Sequence, residues 1–232
     1  MPVFHRIACG LTVVLLTALI CGVYKHRLHR VCRWLTPYLG AVLVGDLALL
    51  LWADRLYFWW FWITKETVFG ILKLVLAIDL GATIFAAFPG AAATVRHASL
   101  GALLLICALL VTAPSTGAEL PDLAMELHPR LANGTAFLLL AVWLLALWYH
   151  VPTHRFHRAI LAGLSSYLLA FTVVVKFLVT QGWQLQYVAG YGDTVGYLAM
   201  LGYWTWEAWR PEPAPAASPE LLQRLQPWRH TA

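Results

Sequence analysis

Residues 57–88, YFWWFWITKETVFGILKLVLAIDLGATIFAAF, place four ionisable side chains in a stretch that is otherwise apolar enough for lipid. They are Lys65, Glu66, Lys73 and Asp79. A charge at the bilayer centre costs about 2.5 to 3.5 kcal/mol on insertion scales, so such residues normally face the interior of a helical bundle and find partners there. At about 1.5 Å per residue this helix would reach about 48 Å, well beyond the hydrocarbon thickness of about 30 Å. The stretch therefore predicts a central helix that tilts or projects from the membrane.

The composition of the whole chain points to the same class. Hydrophobic residues make up 61% of the sequence and charged residues 12%, whereas charged residues make up about a quarter of a soluble domain. The net charge is +5, but the basic residues recur in loops between apolar runs, which argues against a nucleic-acid partner. The four cysteines show no metal-ligand spacing. We predict a polytopic protein whose main partner is the lipid bilayer.

The apolar runs predict an all-α bundle of seven transmembrane helices within residues 1–209. The predicted spans are residues 7–23, 34–52, 58–86, 97–113, 131–149, 159–180 and 186–209. The first run has no small-residue cleavage site and is followed by a strongly basic stretch, so we interpret it as a retained span. Residues 115–130 form the one substantial non-cytoplasmic loop in this interpretation. Residues 210–232 form a Pro/Ala-rich cytoplasmic tail.

The distribution of basic residues predicts the orientation. Outside the spans, most lysines and arginines lie in the loops after spans one, three and five and in the tail. The other side holds only Arg6, Arg55 and Arg130. Because basic loops stay in the cytoplasm, we predict that the N-terminus lies outside and the C-terminus in the cytoplasm of a bacterial inner membrane. Rhodopsins and other seven-helix receptors share this topology, which is an analogy of fold and not of function.

Charged residues in four different spans fall at similar depths. Counted from the outer ends of the spans, Asp46, Glu66, Lys176 and Asp193 share one layer in the outer half of the bundle. Spans six and seven are joined by a short connection, so Lys176 with Asp193 is the first pair that we expect. The layer is either an ion-pair network that sets helix packing or a ligand pocket, and the sequence leaves both open.

The third span adds a residue to this polar cluster. Glu66 and Lys73 are seven residues apart, so they lie within about 20° of each other on one helix face. Three tyrosines of the last two spans, Tyr167, Tyr191 and Tyr197, are candidates to line the same cavity. Asp79 is rotated by about 120° from Lys73 and is expected near the cytoplasmic boundary, where it caps a loop or meets Arg96.

No catalytic or cofactor motif was found. G-x-S-x-G, H-E-x-x-H and P-loop patterns are missing from the sequence. Pro152 interrupts the spacing of His150, His154 and His157, so a metal is not expected, and their loop is predicted to lie near anionic headgroups. No histidine lies in the middle of a span as a haem ligand, and the seventh span has no lysine to hold retinal. We predict no metal and no cofactor.

Four segments carry a resemblance to a known group of proteins. They are FWWFWITKETVFGILKLVLAIDL (58–80), a Pro-Gly break followed by VRHASL (95–100), LAGLSSYLL (161–169) and YWTWEAWRPEP (203–213). This combination resembles a family of uncharacterised bacterial seven-span integral membrane proteins. In that family an aromatic-rich entry with an acid opens the third span, and a Trp/Tyr-rich seventh span ends in Pro-Glu. The resemblance implies an inner-membrane seven-helix bundle and supplies no activity.

Two kinds of function fit these observations. An outward-facing polar cluster, seven spans and no enzymatic motif favour a receptor-like or ligand-sensing protein that takes a small amphiphilic ligand. The alternative is a small transporter or ion-conducting protein that uses the same charges as an ion path, although no inverted repeat is evident in the sequence. A membrane enzyme is the third hypothesis.

Overall fold

The computed structural model describes residues 3–56, 58–85, 97, 101, 120–151, 153–181 and 186–211. This part of the chain holds six long helices, which we number in chain order: Val3–Lys25 (α1), Leu35–Leu51 (α2), Trp59–Phe85 (α3), Leu120–Trp148 (α4), Arg155–Gln181 (α5) and Gln186–Trp209 (α6). A 3-10 turn at Leu28–Arg30 follows α1, and a single helical turn at Ala53–Leu56 follows α2. The predicted all-α class is confirmed.

Several helices have the dimensions of membrane spans. Four segments are long and apolar enough to cross a bilayer: Phe4–Lys25, Trp60–Phe85, Pro129–Trp148 and Arg155–Leu178. The helix α2 is apolar but shorter. By length and composition these helices indicate a multi-pass integral membrane protein. The count of seven spans and the orientation stay predictions, because the predicted fourth span lies outside the described residues except for His97 and Gly101.

The helices are apolar on their outer surfaces as well as inside. Leu16, Leu76 and Ile160 are fully buried in the core. Large apolar side chains such as Val14 and Phe137 are exposed on the outside of the bundle. A helix that is apolar on all sides is typical of a membrane span, where the outer face meets lipid instead of water.

The six described helices pack in a closed ring. Each helix packs on the next one along the chain, and α6 returns to pack on α1. The α1–α6 contact joins Phe4 to Tyr191 near the start of both helices. Further along, Trp209 Nε1 donates to the Ala18 carbonyl at 2.9 Å. Because these contacts advance together along both helices, α1 and α6 run parallel.

The ring also sets the direction of every other helix. Short connections make α1–α2, α2–α3, α4–α5 and α5–α6 antiparallel. Since α1 and α6 are parallel, α3 and α4 must run in the same direction too. We call the end where α1, α3, α4 and α6 begin the upper end, and the opposite end the lower end. Phe85 therefore lies at the lower end and Leu120 at the upper end.

The start of α4 corrects the predicted loop at residues 115–130. The helix begins at Leu120, so the part of that stretch from Leu120 to Arg130 is helical. Pro121 lies at the second helical position, where its missing N–H costs no intrahelical hydrogen bond. Pro129, the last proline of the predicted loop, lies inside the helix.

Candidate functional site

Three charged side chains meet between α2 and α3 in the upper part of the bundle. Lys65 Nζ lies 3.7 Å from Asp46 Oδ1 and 3.4 Å from Glu66 Oε1. Asp46 is buried, and Lys65 and Glu66 are largely shielded. The Cys9 thiol of α1 donates to the Asp46 carbonyl at 3.6 Å. We call Asp46, Lys65 and Glu66 the upper ion group. One lysine between two carboxylates compensates buried charge on both sides.

Close approach of α2 and α3 makes this group possible. A Cβ added at Gly45 would lie 3.0 Å from Phe69 Cζ and 3.3 Å from Lys65 Cδ. Because glycine has no side chain there, the lysine stem can lie against the α2 backbone. The Lys65 ammonium also lies 5.4 Å from the centre of the Phe69 ring, which adds a cation–π contact.

A second polar region lies lower in the bundle interior, around Tyr167 of α5. The Tyr167 hydroxyl donates to Asp193 Oδ1 at 3.0 Å. The buried Lys73 places its ammonium 5.8 Å from the centre of the Tyr167 ring. The Tyr197 ring of α6 lies 5.4 Å from the same ring. Tyr167 thus links polar residues of α3 and α6.

Tyr38 of α2 belongs to the same level of the bundle. The helices α2 and α3 are antiparallel, and Asp46 faces Lys65. Tyr38, eight residues before Asp46, therefore lies level with Lys73, eight residues after Lys65. At about 1.5 Å per residue this level is about 12 Å below the upper ion group.

Two tyrosine hydroxyls at this level have no hydrogen-bond partner among the described residues, and a lysine ammonium lies level with them. Tyr38 is fully buried, and its hydroxyl faces that of Tyr197. The pair does not meet hydrogen-bond geometry, and neither oxygen has another partner among the described residues. Lys73 forms no ion pair with any of the described residues. Its ammonium lies over the ring of Tyr167. We call Tyr38, Lys73 and Tyr197 the donor group.

The residues predicted from the sequence divide between the interior and the surface. Asp46 and Glu66 lie in the upper ion group, and Lys73 and Asp193 lie around Tyr167. Lys73, seven residues after Glu66, lies below the layer predicted for Asp46, Glu66 and Asp193. Tyr191 is 40% exposed and packs edge-on against Phe4 at 4.4 Å. Lys176 is an exposed residue of α5, and its ion pair with Asp193 stays a prediction.

Sequence reasoning missed two parts of this arrangement. Lys65 was noted as an intramembrane charge but was not assigned to the site, although its position beside Glu66 was a usable signal. Tyr38 gave no signal, because a tyrosine near the start of a span is usually an interface anchor. Its place opposite Lys73 follows from the packing of α2 on α3.

A third charged group lies at the lower end. Arg155, the first residue of α5, places Nε 2.8 Å from Glu207 Oε2. Its other guanidinium nitrogens donate to the carbonyls of Glu207, Arg210 and Pro211 at 2.9, 2.7 and 3.1 Å. The last carbonyls of a helix have no intrahelical partner, so one arginine both pairs the buried Glu207 and caps α6. The sequence signal was an acid inside the predicted seventh span.

The histidines differ from the predicted headgroup-facing loop. His157 is buried and its Nε2 lies 2.7 Å from the Val31 carbonyl, which joins α5 to the α1–α2 connection. Cys32, which follows Val31, is also buried. This burial raises the pKa of the Cys32 thiol to about 12, and the nearby negative charge of Asp79 raises it further. The predicted contact of Asp79 with Arg96 lies outside the described residues.

Comparison of the chain with protein-family models, with curated proteins and with solved structures gives no match. The site therefore rests on its own geometry. What that geometry establishes is a helical membrane protein with charged and hydroxyl side chains enclosed at two levels.

Proposed function

We propose that this integral membrane protein is a receptor-like, ligand-sensing bundle of seven transmembrane helices. In a bacterial inner membrane its N-terminus lies outside and its C-terminus in the cytoplasm, as the distribution of basic residues predicts. The upper ion group then lies in the outer half of the bundle. The single observation that carries the proposal is the donor group, in which the unpartnered hydroxyls of Tyr38 and Tyr197 lie level with the unpaired ammonium of Lys73.

Unpartnered donors favour a ligand because they are costly in the free protein. A buried polar group without a hydrogen bond costs about 1 to 3 kcal/mol, and a buried charge costs more. Native proteins keep few such groups, and each one calls for an explanation. A ligand that accepts hydrogen bonds from all three would recover this cost on binding. A network that only set helix packing would be satisfied by the chain itself, as the upper ion group is.

The position of the site also supports signalling through α6. Asp193 and Tyr197 lie on this helix, and its last turn is held by Arg155 of α5 and by the Trp209 contact with α1. A ligand can shift a conformational equilibrium only by binding one state better than the other. A ligand between Lys73 and Tyr197 touches both α3 and α6, so it favours one relative position of these helices. A shift in the position of α6 would then be passed to the tail that follows Pro211.

The test is direct identification of a bound molecule. The full-length protein, purified in detergent, is incubated with a bacterial lipid and metabolite extract and examined by native mass spectrometry. We expect a retained molecule that is lost in the variant combining Tyr38→Phe and Tyr197→Phe, which removes two hydroxyls and keeps the rings. Tyr203→Phe, an exposed tyrosine on α6, is the matched control and should retain it. Failure of the unmodified protein to retain any molecule would contradict a sensing role.

A small transporter or ion-conducting protein is the second candidate. It is favoured by one observation, the arrangement of interior charges at two levels about 12 Å apart along the bundle axis. Such a series of polar groups is typical of ion and proton pathways. Reconstitution into liposomes loaded with a pH-sensitive or cation-sensitive dye separates the two functions. Flux that Lys73→Met abolishes would favour the transporter, whereas tight liposomes together with a retained molecule would favour the sensor.

A further inference from the structure

We infer that the ligand of the donor group carries a carboxylate, which Lys73, Tyr38 and Tyr197 hold together. This inference rests on the proposed function and names the ligand class of the same site. The three residues come from α3, α2 and α6, so the ligand would be bound between helices instead of on one of them. The hydroxyls of Tyr38 and Tyr197 have no hydrogen-bond partner among the described residues, and the contact given for the Lys73 ammonium is the Tyr167 ring.

The chemistry of the three groups selects an acceptor. A lysine ammonium offers three donors and no acceptor, and a tyrosine hydroxyl offers one donor. An ionised carboxylate only accepts, and its two oxygens have about four lone-pair positions. It also brings the negative charge that a buried ammonium requires. An organic cation would bring a second positive charge close to the Lys73 ammonium. It would also add hydrogen-bond donors where the ammonium and the two hydroxyls already donate.

The described carboxylates of Asp46, Glu66 and Asp193 do not fill this role. Asp46 and Glu66 are both in contact with Lys65 in the upper ion group. Asp193 accepts the hydroxyl of Tyr167. Among the described residues, no ion pair joins Lys73 to Glu66 or Asp193. A ligand carboxylate held by Lys73 and the two tyrosine hydroxyls would complete the pairing.

The surroundings indicate that the rest of the ligand is apolar. Phe69 and Leu76, which flank Lys73 on α3, are buried, and so is Leu39 beside Tyr38. The Tyr167 and Tyr197 rings form an aromatic wall between α5 and α6. A carboxylate at the end of a short alkyl chain satisfies both the donors and this apolar lining.

The experiment compares two probes of equal length and opposite charge. Thermal unfolding of the full-length protein in a non-ionic detergent is followed with octanoate or with octylammonium at the same concentration. We expect octanoate at a few times its Kd to raise the Tm by about 2 to 4 °C, and octylammonium to have no such effect. Lys73→Met should abolish the octanoate shift. Lys25→Met, which changes a lysine against Trp209 at the lower end, should keep it.

A second variant covers the case in which Lys73→Met does not fold. The combination of Tyr38→Phe and Tyr197→Phe keeps the packing and should reduce the octanoate shift at least twofold. An equal or larger shift with octylammonium, no shift with octanoate, or an octanoate shift unchanged in the tyrosine variant would each overturn the inference. The extract experiment tests the proposed function separately. If the protein retains a molecule that has no acid group, the sensing role stands and only the inference of a carboxylate ligand is wrong.

Discussion

The indole of Trp204 on α6 lies directly against Gly163 on α5. A Cβ added at Gly163 would come within 2.5 Å of Trp204 Nε1. The indole has no room to move, because Trp204 is fully buried and its Nε1 donates to the Ala159 carbonyl at 3.0 Å. This pair holds α5 and α6 together below the site, and small residues allow such close approach between membrane helices.

Gly163→Ala is therefore expected to destabilise the protein. Overpacking a filled interior costs about 1 to 3 kcal/mol, and displacing Trp204 also breaks its hydrogen bond. Gly202→Ala is the matched control on α6, since a Cβ there meets nothing within 4 Å. The Tm in detergent should fall for Gly163→Ala and stay near the original value for Gly202→Ala. Equal behaviour of the two variants would contradict the packing described for Trp204.

Arg155→Met is expected to cause a larger loss of stability than Arg210→Met. Removing Arg155 strands the buried Glu207 and uncaps α6, and breaking a buried pair costs about 3 to 5 kcal/mol in soluble proteins. Polar contacts between membrane helices average less than 1 kcal/mol, so the order of the two variants is firmer than the size of the effect. Arg210 is half exposed and lies 3.8 Å from Glu207. Adding Glu207→Gln should rescue part of the Arg155→Met loss, and no rescue would mean that capping alone is responsible.

Tyr167 and Asp193 should be energetically coupled through their 3.0 Å hydrogen bond. Tyr167→Phe and Asp193→Asn should each lower the Tm, and the double variant should lose clearly less than the sum, as expected for residues in contact. The same cycle with Lys176→Met and Asp193→Asn tests the ion pair predicted from the sequence. Additivity in the first cycle would contradict the hydrogen bond, and additivity in the second would remove Lys176 from the polar cluster.

Cys32 should react with thiol reagents only when the protein unfolds. The thiolate is the reactive form, and a pKa raised to about 12 leaves almost none of it at neutral pH. A variant that keeps Cys32 and changes Cys9, Cys21 and Cys107 to Ser is heated with a fluorogenic maleimide. Labelling should begin at the unfolding transition, whereas a variant that keeps the exposed Cys21 should label at low temperature. Rapid labelling of Cys32 at 25 °C would show that the lower end opens readily.

Reporter fusions test the topology. Fusions after residue 28 and at Ala232 should report a cytoplasmic location, and a fusion near Glu119 should report an external one. The physical reason is the excess of lysine and arginine in the loops after spans one, three and five and in the tail. A cytoplasmic signal from the Glu119 fusion would mean that either the number of spans or the orientation is wrong.

Part of the candidate site was predictable because charges in an apolar helix are conspicuous. Asp46, Glu66, Lys73 and Asp193 were all selected from the sequence for this reason, and the structure places each of them toward the interior. Counting residues from the ends of the spans put Asp46 and Glu66 in one layer, and the antiparallel packing of α2 on α3 brings both of them to Lys65. The offset of Lys73 from Glu66 along α3 places Lys73 lower in the bundle.

The sequence by itself determined the class of this protein. An apolar helix must satisfy its own backbone hydrogen bonds in lipid, so long apolar runs can become only membrane-spanning helices, whatever packs beside them. The tertiary structure alone decided which polar groups meet. Tyr38, Lys73 and Tyr197 are far apart in the chain, and no local pattern marks them as neighbours. They share one level because α6 packs parallel to α1 and closes the ring, and the ring brings these three donors together.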